Sequence, residues 1–350
     1  MAASPFDDIR NLFKALPPAH EEPVYKVRNR DRTLVKPAGS LGRLEEIVEW
    51  LAAWQGKAPP QVLKPQIAVY ASNHGVAGRG VSAYPQAVTR QMVDTFAAGG
   101  GAVNQLALAS GAGLKVFDLA LDVPTPDIST AAALSERDCA ATMAFGMEAV
   151  AQSPDILCLG EMGIGNTTVA AALAHALFGG RAEDWVGRGT GVDDQGVARK
   201  RAVVEAAIAF HGTALEDPLE ALRRVGGREF AAIAGAILAA RISRVPVLLD
   251  GFPVTAAAAV LYKIDPRALD HCMAAHVSTE PGHRRLLDLL EKPPVLDLEM
   301  RLGEGSGAAL ALNIVQAAVA VHTGMATFEQ AKVSGPQTAA DAKADETHTE

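Results

Sequence analysis

The sequence predicts an α/β fold: a mainly parallel, Rossmann-like sheet flanked by helices. Three observations carry this prediction. Short apolar runs rich in β-branched residues alternate with Ala-rich helical patterns, as βαβ units do. Hydrophobic residues make up 49% of the 350 residues and aromatic residues only 5%, which suits helices packed closely on a sheet. Several apolar runs end in glycines and polar residues together, at the place where open parallel sheets hold their ligands.

The elements follow in chain order. Residues 1–60 read as a helical segment, with "GRLEEIVEWLAAWQG" its clearest amphipathic stretch. Residues 61–300 read as the α/β domain. Its expected strands are "QIAVYA" (66–71), "LKVFDLAL" (114–121), "DILCLG" (155–160), "VPVLLDG" (245–251) and "HCMAAHVS" (271–278). Between them lie helical patterns such as "TTVAAALAHALF" and "GREFAAIAGAILAARI". Residues 301–331 read as a glycine-rich loop and a late helix, and 332–350 as a disordered tail.

Composition excludes several function classes. The formal net charge of −8 argues against nucleic acid as the main partner. Cys139, Cys158 and Cys272 are odd in number and far apart, with no CxxC spacing, so neither a disulfide framework nor a zinc knuckle is expected. The acidic start "MAASPFDDIRNLF" is unlike a signal peptide, and no uncharged apolar run is expected to reach membrane-spanning length. A reducing cytoplasm fits.

The motifs point to chemistry. "GEMGIGNTTVAAALAHALF" (160–178) reads as strand, glycine loop and helix, with Asn166 or Thr167 as the cap and free N–H groups suited to a phosphate. Asn166 stands where a Walker A loop needs lysine, which disfavours an ATPase. "VGRGTGVDDQGVARKRAVV" (186–204) offers Lys200 as a point charge for a phosphate, against the plainer reading of a solvated helix face. His74 reads as a structural histidine, and His276 and His283 lack a metal-binding spacing. In "RLGEGSGAAL" (301–310), glycines flank Glu304 at the threshold of an apolar helix. Such a carboxylate, with room beside it for a flat ligand, suits a general base. The helix start lowers its pKa and an apolar pocket raises it; ionisation at neutral pH is the expectation. The dinucleotide-like glycines of this motif lack the strand and acid that an oxidoreductase needs.

Six motifs then occur in order: "KPAGSLGRLE", "NHGVAGRGVSAYPQAVT", "GEMGIGNTT", "GRGTGVDDQG", "PVLLDGF" and "MRLGEGSGAALAL". Over roughly residues 30–330 the chain closely resembles the nicotinate-nucleotide–dimethylbenzimidazole phosphoribosyltransferase (CobT) family of cobalamin lower-ligand assembly. The resemblance implies transfer of phosphoribose from nicotinate mononucleotide to 5,6-dimethylbenzimidazole. It also implies inversion at the ribose carbon, a homodimer, no metal and no cofactor, and a smaller helical domain built from both chain ends, in which the N-terminal segment 1–60 packs with the helix after the catalytic loop in 301–331. Small-molecule substrates are the expected partners, with neither nucleic acid nor membrane.

The family's catalytic glutamate falls on Glu304. Its phosphate and ribose contacts fall around Gly163, Asn166, Thr167, Gly189, Lys200, Gly251 and Ser278, and Glu161 matches a second carboxylate near the ribose. Tyr84, Met92, Leu302 and Gly303 are implied for the aryl pocket. Some members carry a smaller polar residue at Tyr84 and a glutamine at Met92, so a more apolar pocket is expected here. The alternative is a nucleotide-binding protein of the same fold that has lost the chemistry.

Overall fold

The computed structural model describes residues 4–335. In chain order the helices and strands are α1 (Pro5–Leu12), α2 (Glu21–Asp31), α3 (Arg43–Gln55), β1 (Pro65–Ala71), α4 (Val88–Ala97), α5 (Ala102–Ser110), β2 (Gly113–Asp118) and α6 (Glu136–Gly146). There follow β3 (Ile156–Met162), α7 (Asn166–Phe178), α8 (Asp194–His211), α9 (Pro218–Val225), α10 (Arg228–Ser243) and β4 (Val247–Leu249). The last are α11 (Phe252–Ile264), β5 (Cys272–Ala274), α12 (Pro281–Leu289), α13 (Ser306–Gly324) and α14 (Phe328–Ala331).

The five strands form one sheet in the order β2-β1-β3-β4-β5, and every neighbouring pair is parallel. This is a doubly wound arrangement whose strand order reverses at β1, so the crevice beyond the carboxyl ends is the expected ligand site. β1 and β3 are central and almost wholly buried, as their unbroken apolar sequences require. α7, α10 and α11 supply a nearly continuous buried surface of Ala, Val, Ile and Leu. Small side chains let these helices lie close to the strands and to one another.

The chain divides into two compact units: Met1–Ala19 with Val62–Ile314, and His20–Gln61 with Val315–Glu350. The larger contains the whole sheet. The smaller is helical and comes from two distant stretches of chain, joined within itself by Arg30 donating to the carbonyls of His322, Thr323 and Met325. A buried Lys36 bridges Asp31 and Glu45 there, at 2.8 and 2.7 Å.

Three sequence expectations differ from this structure. The segment up to Ala19, expected with the small domain, falls in the larger unit. There Phe6 and Ile9 of α1 and the following Phe13 are buried, and Arg10 pairs with Asp217 at 2.7 Å. The strands expected at 245–251 and 271–278 are shorter, Val247–Leu249 and Cys272–Ala274. α13 is 19 residues long and apolar enough to cross a membrane by length and composition, contrary to the expectation that no run would be. Ala308, Ala309, Ala311, Leu312 and Val315 on it have no exposed surface, so that apolarity serves the protein's own core. Most of the expected tail, residues 336–350, lies outside the described residues.

Candidate active site

A cavity of about 590 Å³ opens beyond the carboxyl ends of β3, β4 and β5. Two helix starts face it. The first is the β3–α7 turn, Gly163 to Thr167, and the second is the β4–α11 turn, Gly251 to Pro253. Their free N–H groups and positive dipole ends suit an anionic ligand. α7 is entered through Gly165 at φ 96, so Asn166 and Thr167 are its first helical residues and neither caps it, unlike the expectation. Their side chains are thereby released for other work. Asn166 Nδ2 donates to the carboxyl of Glu161, and Thr167 Oγ1 accepts from Lys200 Nζ at 2.9 Å.

Glu304 sits in the wall of this cavity with 6% of its surface exposed. Gly303, Glu304 and Gly305 have φ of 79, 63 and 77, three successive left-handed residues. Glycine takes that conformation without strain, and glutamate does not. The turn also lies against the sheet so closely that a Cβ at Gly160 would overlap the backbone of Gly305. The glycines therefore serve the turn itself. A Cβ at Gly303 would lie 2.5 Å from Glu161 Oε1, so the space beside Gly303 is filled by that carboxyl rather than left for a ligand.

Asp250, fully buried directly after β4, holds the turn from behind. Its Oδ2 accepts the Gly305 N–H at 3.0 Å and its Oδ1 the Ala308 N–H at 2.9 Å. The start of α13 is thus spent on Asp250 and not on Glu304. Among the described residues the Glu304 carboxylate has no hydrogen-bond or ion-pair partner. Burial, aided by the charge of Asp250, raises its pKa to about 7. The expected contest between helix start and apolar pocket is therefore won by burial.

The neighbouring groups are charged by the same rules. Burial raises the Glu161 pKa well above its ordinary value, with Asp250, Glu229 and Glu304 adding to it, which favours the neutral carboxyl. Burial also opposes ionisation of Asp250, but His276 and the two N–H groups outweigh it and its pKa is lowered. His276 Nε2 lies 3.5 Å from Asp250 Oδ1, and that contact raises the imidazole pKa despite burial. Burial lowers Lys200 to about 8, partly opposed by Glu280.

The DBI_PRT phosphoribosyltransferase family model matches residues 16–333. A Brucella canis protein named nicotinate-nucleotide–dimethylbenzimidazole phosphoribosyltransferase is 62% identical over 336 residues, 95% of this chain and 99% of its own. An Allorhizobium ampelinum protein of the same name is 61% identical over 334 residues, 95% of this chain and 98% of its own. The crystal structure of CobT from Thermus thermophilus superposes with a TM-score of 0.84 at 42% identity, covering 90% of this chain and all of that one. This chain belongs to the nicotinate-nucleotide–dimethylbenzimidazole phosphoribosyltransferase family. It is an enzyme, a phosphoribosyltransferase.

The residues expected at the phosphoribosyltransferase site fall together with one exception. Tyr84, Met92, Glu161, Gly163, Asn166, Thr167, Gly189, Gly251, Ser278, Leu302, Gly303 and Glu304 all line the cavity. Lys200 does not: it is fully buried on α8, neither a solvated charge nor part of the cavity wall. A Cβ at Gly189 would meet its Nζ at 2.9 Å, so the ammonium lies directly behind the wall. Tyr84 and Leu302 are more than half exposed, at 55% and 56%, and stand at the mouth.

Sequence reading missed Asp250, His276, Glu280 and Thr190. Thr190 ties the two mouth loops by accepting from Ala83 N at 3.0 Å beside Ser82. Glu280 Oε1 accepts from Gly189 N at 2.7 Å, and its Oε2 is buried without a partner among the described residues. Only Asp250 left a trace, as the lone charge ending the apolar run "VPVLLD". His74 is buried with its Nε2 2.5 Å from Glu229 Oε1, which fits the structural role expected of it. His283 contacts Thr255 Oγ1 at 3.0 Å and accepts from Ser278 N at 2.8 Å.

Proposed function

We propose that this enzyme transfers the phosphoribosyl group of nicotinate mononucleotide to 5,6-dimethylbenzimidazole, with Glu304 as general base. The products are α-ribazole 5′-phosphate and nicotinate. One observation carries the reading: a nearly buried carboxylate without a protein partner faces the same cavity as two helix starts. A protein that only held an anionic nucleotide would gain nothing from that carboxylate. The names of the close relatives support the choice of substrates.

The chemistry follows from the geometry. The nucleotide phosphate lies among the N–H groups of the α7 and α11 starts and near Ser278, with the Lys200 ammonium behind. In its favoured neutral form Glu161, held by Asn166, offers a hydrogen-bond donor to the ribose rather than a second negative charge. The flat acceptor lies between Met92, Leu302 and Tyr84.

One acceptor ring nitrogen attacks the anomeric carbon on the face opposite nicotinate. The bond to nicotinate breaks, and its ring leaves neutral with no proton required. Positive charge developing on the acceptor acidifies its other N–H, and that proton passes to Glu304. A pKa of about 7 leaves roughly half the carboxylates ready to receive it near neutral pH, and pays no penalty in excess acidity. The cavity wall supplies positioning and charge balance.

The reading extends to a cytoplasmic homodimer acting without metal or cofactor. Its test is incubation with nicotinate mononucleotide and a panel of benzimidazoles, purines and phenols, with products identified by mass. Formation of α-ribazole 5′-phosphate from dimethylbenzimidazole supports it. Hydrolysis of the nucleotide alone, or no reaction with any acceptor, refutes it.

A further inference from the structure

We infer that Asp250 is the positioning residue of Glu304, holding the left-handed Gly303–Gly305 turn so that the base carboxylate faces the acceptor. The inference rests on Glu304 acting as the base. Asp250 directly follows the short strand β4, 54 positions before Glu304 in the chain, and has no exposed surface. Both its oxygens are committed to backbone, Oδ2 to Gly305 N and Oδ1 to Ala308 N. These donors bracket Ser306, where α13 begins. Glu304 therefore sits one residue ahead of a clamp that ties the catalytic turn to the central sheet.

The clamp answers a specific difficulty. A glutamate at φ 63 is in a conformation that a free chain leaves readily. The surrounding contacts have to overdetermine it. Ser306 Oγ donates to Gly303 O at 2.7 Å and closes the turn locally. Asp250 joins the turn to the strand that also leads into the Gly251 start of α11, so one residue sets the base and one side of the anion site in common register. His276 Nε2 lies 3.5 Å from Asp250 Oδ1, and a Cβ at Gly307 would overlap the His276 ring, which fixes the imidazole against α13.

Several titratable groups face this pair. They are Cys158 and Glu161 from β3, His276 after β5 and His283 from α12, with Glu229 of α10 beyond Glu161. Asp250 is the charge that adds to burial in raising Glu304.

The experiment compares Asp250→Asn with the parent and with Glu304→Gln, measuring kcat, KM and the pH profile of kcat/KM. Asparagine retains one acceptor but loses the charge. The expected result is a fall in kcat of about 10²-fold, the scale of a roughly 1 Å misplacement. KM for nicotinate mononucleotide should change little, and the acid limb of the profile should move to lower pH. If Asp250→Asn is insoluble, Asp250→Asn with His276→Gln removes both ion-pair members together, and the same changes are expected. An unchanged kcat, or an acid limb in its parental place alongside an inactive Glu304→Gln, overturns the inference. A fully active Glu304→Gln overturns the base assignment instead.

Discussion

Lys200 reaches Thr167 from inside the protein: its Nζ donates to Thr167 Oγ1 across 2.9 Å, and the lysine has no exposed surface. The positive charge thus stands behind the first turn of α7 rather than in the cavity. A bound phosphate would draw on it through Thr167 and Gly189, in a setting where water screens little.

Replacing Lys200 with Met keeps most of the packing and removes that charge. KM for nicotinate mononucleotide should rise about tenfold, a single charge-assisted contact, with a smaller change for the acceptor. The lysine pKa of about 8 adds a pH signature. Nucleotide binding by the parent should weaken as pH rises through that value, and the variant should lose this dependence. An unchanged KM for the nucleotide would count against the phosphate role.

The elevated pKa of Glu304 also predicts a stability effect. A carboxyl whose folded pKa exceeds its unfolded value contributes stability that is complete below about 4.5 and lost as pH rises through about 7. Glu304→Gln escapes that loss. The variant should melt higher than the parent at pH 8.5, by an amount equivalent to at most about 3 kcal/mol. Near pH 4.5 the two should melt together. Equal midpoints at both pH values would show that the carboxyl ionises in the fold as easily as in water.

Gly160 lets the Gly303–Gly305 turn rest on β3. In Gly160→Ala the new methyl would enter the backbone of Gly305, so the turn must shift while the rest of the sheet has no reason to. Stability should fall by about 1–3 kcal/mol. Turnover should fall more steeply than nucleotide affinity. A variant with parental kcat would show that the turn tolerates displacement.

Met92 lines the cavity near its mouth with Tyr84. Met92→Gln should shift acceptor preference from dimethylbenzimidazole towards more polar bases, by about 1–3 kcal/mol in relative kcat/KM. Competition between dimethylbenzimidazole and adenine reads this directly. An unaltered ratio would place the acceptor elsewhere in the cavity.

Much of this molecule is legible in its sequence, for definite reasons. β1 and β3 are buried on both faces, so they appear as unbroken apolar runs, and the glycine turn after β3 is punctuated by residues that only a turn or a ligand site needs. What was hidden depends on tertiary pairing. Asp250 looks like an ordinary strand end until α13 is brought beside it. Lys200 lies in a run of three basic residues, and the run does not tell that its middle member turns inward while Arg199 and Arg201 stay outside. The affiliation of α1 hangs on Phe6 and Ile9, too few residues for periodicity to announce. The balance of burial against a helix start at Glu304 could be decided only once Asp250 was seen to occupy that start.

The most direct test of the account is turnover by Glu304→Gln, measured beside its binding of nicotinate mononucleotide and dimethylbenzimidazole. The amide keeps the shape of the side chain and cannot take the acceptor's proton. The account predicts that both substrates bind as in the parent while kcat falls about 10²–10⁴-fold, the range for a positioned base. Turnover within a few-fold of the parent would contradict it.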